Sequence, residues 1–194
     1  MNDMLGSRTQ FACQVAILLL LTACSSSAPL TRQHLDPLTG ATITRASEPL
    51  VLYRDLSAKA ANAREYVYLG PIEVNTMGVR KYYLWLGVWG TYDTRSDAID
   101  DFESVVIFAD GEPLSLSASG WTLSTIGASE PVYTPPVAGA TDAWYQVTVD
   151  QIRLIAESRD IELRAGTAVP RHYMPWESTD AASASLVEFL RQVY

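Results

Sequence analysis

Three aromatic side chains stand close enough in the sequence to form one surface. In Lys81-Tyr82-Tyr83-Leu84-Trp85-Leu86-Gly87-Val88-Trp89, a strand's period of two puts Tyr83, Trp85 and Trp89 on one face. Tyr82, Leu84, Leu86 and Val88 take the other, and Gly87 opens a gap between the two tryptophans. Left open, such a face is an amphipathic platform for a sugar ring, a peptide or another protein. Covered, it is core, which is the commoner fate of an aromatic stripe and the expectation here, with the C-terminal helix as the natural lid.

Catalytic chemistry has less to work with. The chain has two histidines, His34 and His172, and no Gly-x-Ser-x-Gly, Ser-x-x-Lys or His-Glu-x-x-His pattern. A Ser-His-Asp set would need His172, because His34 falls in a stretch read below as a tether, and a mobile base cannot be held to catalytic tolerance. His172 itself reads as a partly exposed loop residue beside Arg171. Two carboxylates far apart in sequence would leave no local mark, so an envelope-polymer hydrolase of that kind stands as an alternative. The acidic run Asp93, Asp97, Asp100, Asp101 and Glu103 offers oxygen ligands without the alternating spacing of a calcium loop, and reads as a solvated connection. No catalytic residue, metal site or cofactor is assigned.

The cysteines point elsewhere. An apolar run from Val15 ends in Leu21-Thr22-Ala23-Cys24, an apolar residue and two small ones before a cysteine. This resembles the lipobox of bacterial lipoproteins. The resemblance implies that residues 1–23 are a signal peptide and that Cys24 becomes the acylated first residue of the mature lipoprotein, with palmitate among its chains. Several acyl chains hold a protein to a membrane where one does so only marginally. In such lipoproteins an Asp after the cysteine commonly signals inner-membrane retention. Ser25 stands there instead, which implies the outer membrane, with the domain facing the periplasm. Arg8 is the only basic side chain before the run and Asp3 opposes it, so Met4 rather than Met1 is the expected start. The run is too short to cross a hydrocarbon core, which takes about 20 residues.

Removing residues 1–23 leaves 171 residues, enough for one domain with its own core, and no cysteine other than Cys24. The net charge is −8. That balance gives no electrostatic reason to bind nucleic acid, and it leaves membrane affinity to the lipid on Cys24.

Residues 24–49, rich in Ser, Thr and Pro, read as the lipidated Cys and a flexible tether, although Ala41-Thr42-Ile43-Thr44 has the residue types to pair with a sheet edge. Residues 50–194 read as one globular domain. Leu50–Tyr53 is the first predicted strand, and alanine-rich Leu56–Arg64 a short helix. Tyr66–Val74 and Val79–Trp89 form a hairpin about Asn75-Thr76-Met77-Gly78, with Pro71 marking an edge or a bulge. Ser104–Ala109, nearly all apolar, is expected to be buried on both faces. Asp110-Gly111 turns it into a strand alternating Leu114, Leu116 and Ala118 with serines, which Trp121 and Leu123 could extend. Trp144–Val149 is a strand, Thr148-x-x-Gln151 a capping box opening a helix over 149–157, and Ile161–Arg164 a further strand. From Thr179 to Val193 an apolar stripe of Ala182, Leu186, Phe189, Leu190 and Val193 makes an amphipathic helix that covers a sheet.

The fold class expected is α+β, mainly β: an antiparallel sheet built from hairpins, with the C-terminal helix packed on it. A β-sandwich with a terminal helix is the alternative. The function that follows is a non-enzymatic, outer-membrane-anchored binding or envelope-assembly module, whose partner is an envelope protein met through exposed aromatics or a free strand edge. A glycan or peptidoglycan binder using Tyr83, Trp85 and Trp89 is the first alternative.

Overall fold

The computed structural model describes residues 28–58, 60–91, 98–166, 169–176 and 180–194. The signal segment, Cys24, Ser25, Asp93, Asp97 and Thr179 lie outside the described residues.

A long hairpin sits at the centre. Strands β4 (Arg64–Thr76) and β5 (Val79–Gly90) pair antiparallel from Glu65 opposite Gly90 to Thr76 opposite Val79. Their turn places Met77 and Gly78 at φ of 51° and 90°, and the Gly78 N–H donates to Asn75 Oδ1 at 2.9 Å. Paired positive φ values match the twist of the flanking strands.

Eight further strands complete one antiparallel sheet: β1 (Thr31–Leu35), β2 (Thr42–Ala46), β3 (Leu50–Asp55), β6 (Ser104–Ala109), β7 (Glu112–Ser117), β8 (Thr141–Val147), β9 (Ile161–Ala165) and β10 (Arg171–Pro175). The outer edge of β4 is shared, by β3 along Arg64–Leu69 and by β2 along Ile72–Asn75. Gly70 and Pro71 lie opposite neither, so a proline is tolerated in the middle of a thirteen-residue strand. Past β3 come β10, β9, β6 and β7, while β8 pairs with the far edge of β5. The sheet curls until its ends meet: Gly120, just after β7, bridges Trp144 of β8, and the Ser119 N–H donates to the Trp144 carbonyl at 2.7 Å.

The helices are α1 (Ala98–Asp101), α2 (Leu123–Ile126), α3 (Val149–Glu157) and α4 (Asp180–Val193). The expected capping box opens α3, with Thr148 Oγ1 accepting from the Gln151 N–H and Gln151 Oε1 from the Thr148 N–H. Ala182, Leu186, Phe189 and Val193 of α4 are buried in one core with Leu52, Val67, Leu69, Leu84, Leu86 and Val88, so α3 and α4 fill the hollow of the curl. Burying each of these larger side chains contributes about 1.5–3 kcal/mol. A second, smaller core lies on the opposite face of β4 and β5.

The chain is thus α+β and mainly β, a half-barrel with its C-terminal helix packed on the sheet, and a single curled sheet rather than a sandwich. Several local expectations are corrected. Residues 31–46, read as part of the tether, form the hairpin β1–β2 within the sheet, and Ile43 is fully buried. Its β-branched and apolar residues outweigh the Ser- and Pro-rich composition around them. Among the described residues of 56–63, turns stand where the helix over 56–64 was expected, and Asn62 takes a positive φ of 63°. β6 alternates between buried and half-buried side chains, because the helices cover only its concave face. Leu123 starts α2 instead of extending a strand.

Asp36 holds the β1–β2 loop in place. Its carboxylate accepts from the Leu38 and Thr39 N–H groups and from the N–H and hydroxyl of Ser129, at 2.6–3.1 Å. The Ser129 bonds, then those of Thr39, hold its carboxyl well below the usual carboxylate range. A carboxyl depressed on folding adds stability that is complete above its unfolded value, near 4, and fades as pH falls toward the folded value. In urea unfolding at pH 6, Asp36→Asn is therefore less stable than the native chain, and the gap between them narrows as pH falls below about 4.

Candidate functional site

The aromatic stripe divides in two. Tyr83 and Trp85 are buried, at 4% and 1% exposure, whereas Trp89 is half-exposed. What covers the first pair is the segment 123–133, not the C-terminal helix, which fills the opposite face. The indole of Trp85 lies over Gly87, where any Cβ would meet it at 2.4 Å. Tyr133 stacks on Trp85 with ring centroids 4.7 Å apart and planes at 11°, and the Arg45 guanidinium caps Tyr133 at 4.7 Å. Tyr133 also approaches Gly70 so closely that a Cβ there would meet its ring at 2.4 Å, and its hydroxyl donates to the Pro71 carbonyl. The Trp85 indole N–H donates to Asp142 at 2.8 Å. Burial pushes Asp142 up while Trp85 draws it down. The polar atoms of Trp85 and Tyr133 are thus paired within the fold, and the stack is core.

The strands that bury Trp85 run on into a face with no such cover among the described residues. Opposite Trp89 on β5 is Tyr66 of β4, opposite Tyr66 is Tyr53 of β3, and opposite Tyr53 is Met174 of β10. These four share one face of four adjacent strands, and Tyr68 and Trp176 flank them. Tyr66 stacks on Trp89 at 4.6 Å and 17°, and Trp176 stands edge-on to Tyr53 at 5.0 Å and to Tyr66 at 5.5 Å. Arg64, paired with Asp55 at 3.0 Å, lays its guanidinium over Trp176 at 4.7 Å. All five aromatic side chains are half-buried, and Met174 is exposed. The Trp89 N–H is covered and makes no hydrogen bond among the described residues; the Tyr68 hydroxyl is pushed up by burial and drawn down by Trp89, but does not reach bonding geometry.

Sequence spacing located Trp89 but not its companions. Tyr66 and Tyr68 alternate visibly, and only the register of β3, β4, β5 and β10 brings Tyr53, Met174 and Trp176 beside them. Tyr133 and Tyr173 are buried, whereas in the segment Tyr173-Met174-Pro175-Trp176 Met174 is exposed and Trp176 half-buried.

Several charged residues are committed within the fold. Glu65, fully buried on the concave face, accepts from Arg54 Nε at 2.5 Å and from the Tyr173 hydroxyl at 2.6 Å, and its second oxygen lies 3.5 Å from Arg171. Burial and the Glu65 charge push the Tyr173 hydroxyl up, which keeps it a donor. Arg171 also pairs with Asp101 of α1, whose backbone carbonyl accepts from the Gly166 N–H at 2.7 Å. This network ties β3, β4, β10 and α1 at one end of the curl. Asp101, counted above among oxygen ligands, serves an arginine, and among the described residues no three His, Cys, Asp or Glu side chains gather as a metal cluster. His172 stands on strand β10 rather than in a loop, with Nδ1 2.7 Å from Glu162 of β9. Arg164, then His172, hold the Glu162 carboxyl below its usual range against the effect of burial. Among the described residues, no helix is long and apolar enough to cross a membrane.

No protein-family model, curated protein or solved structure matches the chain.

Two outcomes check this division. Acrylamide quenching of tryptophan fluorescence falls when Trp89 or Trp176 is replaced by Phe and is unchanged for Trp85→Phe, since only the first two are accessible. Glu65→Ala leaves Arg54 and Arg171 without their shared carboxylate and costs about 3–5 kcal/mol in chemical unfolding.

Proposed function

We propose that this chain is an outer-membrane-anchored lipoprotein whose domain faces the periplasm and binds an envelope protein through the aromatic face of Tyr53, Tyr66, Trp89, Trp176 and Met174. The lipobox-like Leu21-Thr22-Ala23-Cys24 supports the anchor. The open end of the central hairpin supports the binding surface, and it is the observation that carries the reading.

Tyr, Trp, Met and Arg are the residue types enriched at the centres of protein interfaces, where a few aromatic anchors carry most of the energy. Here they are already packed against one another, so they arrive at a partner with little side-chain entropy left to lose. The packing also separates a protein partner from a glycan. A sugar ring stacks on the flat face of an aromatic, and one face each of Tyr66 and Trp89 is taken up by the other ring, while Trp176 turns its edge toward both tyrosines. Ring edges, a thioether and a guanidinium remain outward, which suits apolar and carbonyl groups of a protein surface.

Fractionation of cells tests the anchor: the native chain partitions with the outer membrane and Cys24→Ala appears in the soluble periplasmic fraction. For the surface, a photocrosslinking amino acid at Met174 of the membrane-bound protein captures a defined envelope protein, and Trp89→Ala with Trp176→Ala reduces that capture at least tenfold. Capture of peptidoglycan fragments instead of a protein would overturn the choice of ligand.

A further inference from the structure

The opposite end of the long hairpin carries exposed apolar side chains of its own. The ladder aligns Leu35 of β1 with Thr42 of β2, Thr42 with Asn75 of β4, and Asn75 with Arg80 of β5. The β1–β2 loop and the β4–β5 turn therefore project side by side past one row of the sheet. At their tips Leu38 is 84% exposed and Met77 98%, and Leu35 and Val79 beside them are 65% and 63% exposed. Such side chains are normally turned inward, and turns are normally polar. The C-terminus joins this end, since Arg80 Nη1 donates to the Val193 carbonyl, and Tyr194 beyond it is 88% exposed.

Charge follows the same pattern. Within the two hairpin ends the acidic residues are Asp36 and Glu73, both buried, Asp36 bonded to Ser129 and Glu73 paired with Arg80 at 3.2 Å. Lys81 is exposed beside Val79, and Arg80 is half exposed. Within these two hairpin ends the cations therefore face outward and the acids inward, in a chain with a net charge of −8.

The leader sets the reach. β1 begins at Thr31, and the Leu30 carbonyl is tied to Ser185 of α4. The Pro29 carbonyl accepts from the Ser47 hydroxyl, so with lipid on Cys24 only five residue steps separate the anchor from the fold, at most about 17–18 Å of extended chain. From Pro29 to Leu35, in the row of the tips, is about 20 Å of chain. The anchor therefore keeps the domain close against the bilayer, with the row of the tips a few ångströms from the limit of the leader and the lipidated Cys24 side chain adding to that reach.

We propose that the paired tips, Leu35 and Leu38 of the first hairpin and Met77 and Val79 of the second, insert into the lipid surface that holds the acyl anchor, with Arg80 and Lys81 against its anionic headgroups. This rests on the lipoprotein reading given above. Shallow insertion of a few apolar side chains is too weak to hold a soluble protein, but beside a covalent anchor it acts at high effective concentration and fixes orientation. Trp89 lies ten residues along β5 from Val79, about 33 Å of strand. A domain standing on its tips thus presents the aromatic face to the periplasm, away from the bilayer.

The test uses residues 24–194, which contain the whole described fold and a single cysteine, coupled through Cys24 to a maleimide lipid in vesicles of phosphatidylethanolamine and phosphatidylglycerol. An environment-sensitive fluorescent amino acid replaces Met77, or Val169, which is 78% exposed in the β9–β10 loop at the other end of the sheet. The expected result is a blue shift and at least twofold quenching by shallow doxyl lipids at position 77, with neither at 169, and loss of the effect in Leu35→Ser/Leu38→Ser. Equal, aqueous behaviour at both positions overturns the proposal. A shift at 77 that grows with protein concentration and needs no vesicles overturns it too, in favour of contact between copies. Because coupling replaces cellular acylation, the fractionation of Cys24→Ala decides the anchor separately: a native chain found soluble would sink that reading while leaving the vesicle result to judge the tips.

Discussion

A strand pair that is apolar on both faces cannot be left with either face in water. β4 and β5 are the longest strands of the sheet, and along most of their length both sets of alternating side chains are large and apolar. One set demands the helices α3 and α4. The other demands the 123–133 segment, with Tyr133 pressed on Trp85 and Asp36 tying that segment to the first hairpin. Even the exceptions to residue type follow from the same hairpin. Gly70 and Gly87 are where Tyr133 and Trp85 need the room, and Pro71 sits where the neighbouring strands change over.

The cover on the second face ends before the strands do. Beyond Gly87 the aromatic residues continue as Trp89, Tyr66 and Tyr53, and no loop among the described residues seals them as Tyr133 seals Trp85. The same residue types thus serve two purposes along one strand, sealed core for one half and solvent-facing patch for the other. At the far end, the hairpin tips carry apolar residues that the core does not use. One element therefore connects a row of exposed apolar tips with an aromatic patch at its other end.

Much of the fold was legible in the sequence because its signals are local. The turn chemistry of Met77-Gly78 and Asp110-Gly111, the capping box at Thr148 and the stripe of α4 each follow from a few neighbouring residues, and the α+β class follows from their sum. What was not legible depends on partners distant in sequence. The first hairpin looked like linker because its composition is polar, and only its place beside β4 gives Ile43 a core to enter. The lid on Trp85 was assigned to the C-terminal helix because that helix needs a surface, yet the other face of the same strands supplied it. The site was half visible: Trp89 was marked by spacing, but Tyr53, Tyr66, Met174 and Trp176 meet it only through the register of four strands.

The central claim is that the open end of the long hairpin is occupied by a protein in the cell envelope. Hydroxyl-radical footprinting tests it directly, by comparing oxidation of Tyr53, Tyr66, Trp89, Met174 and Trp176 in intact cells and in the purified protein. Selective protection of these residues in cells, with Val169 equally reactive in both, is the predicted result. Equal oxidation of the aromatic face in the two settings would contradict it.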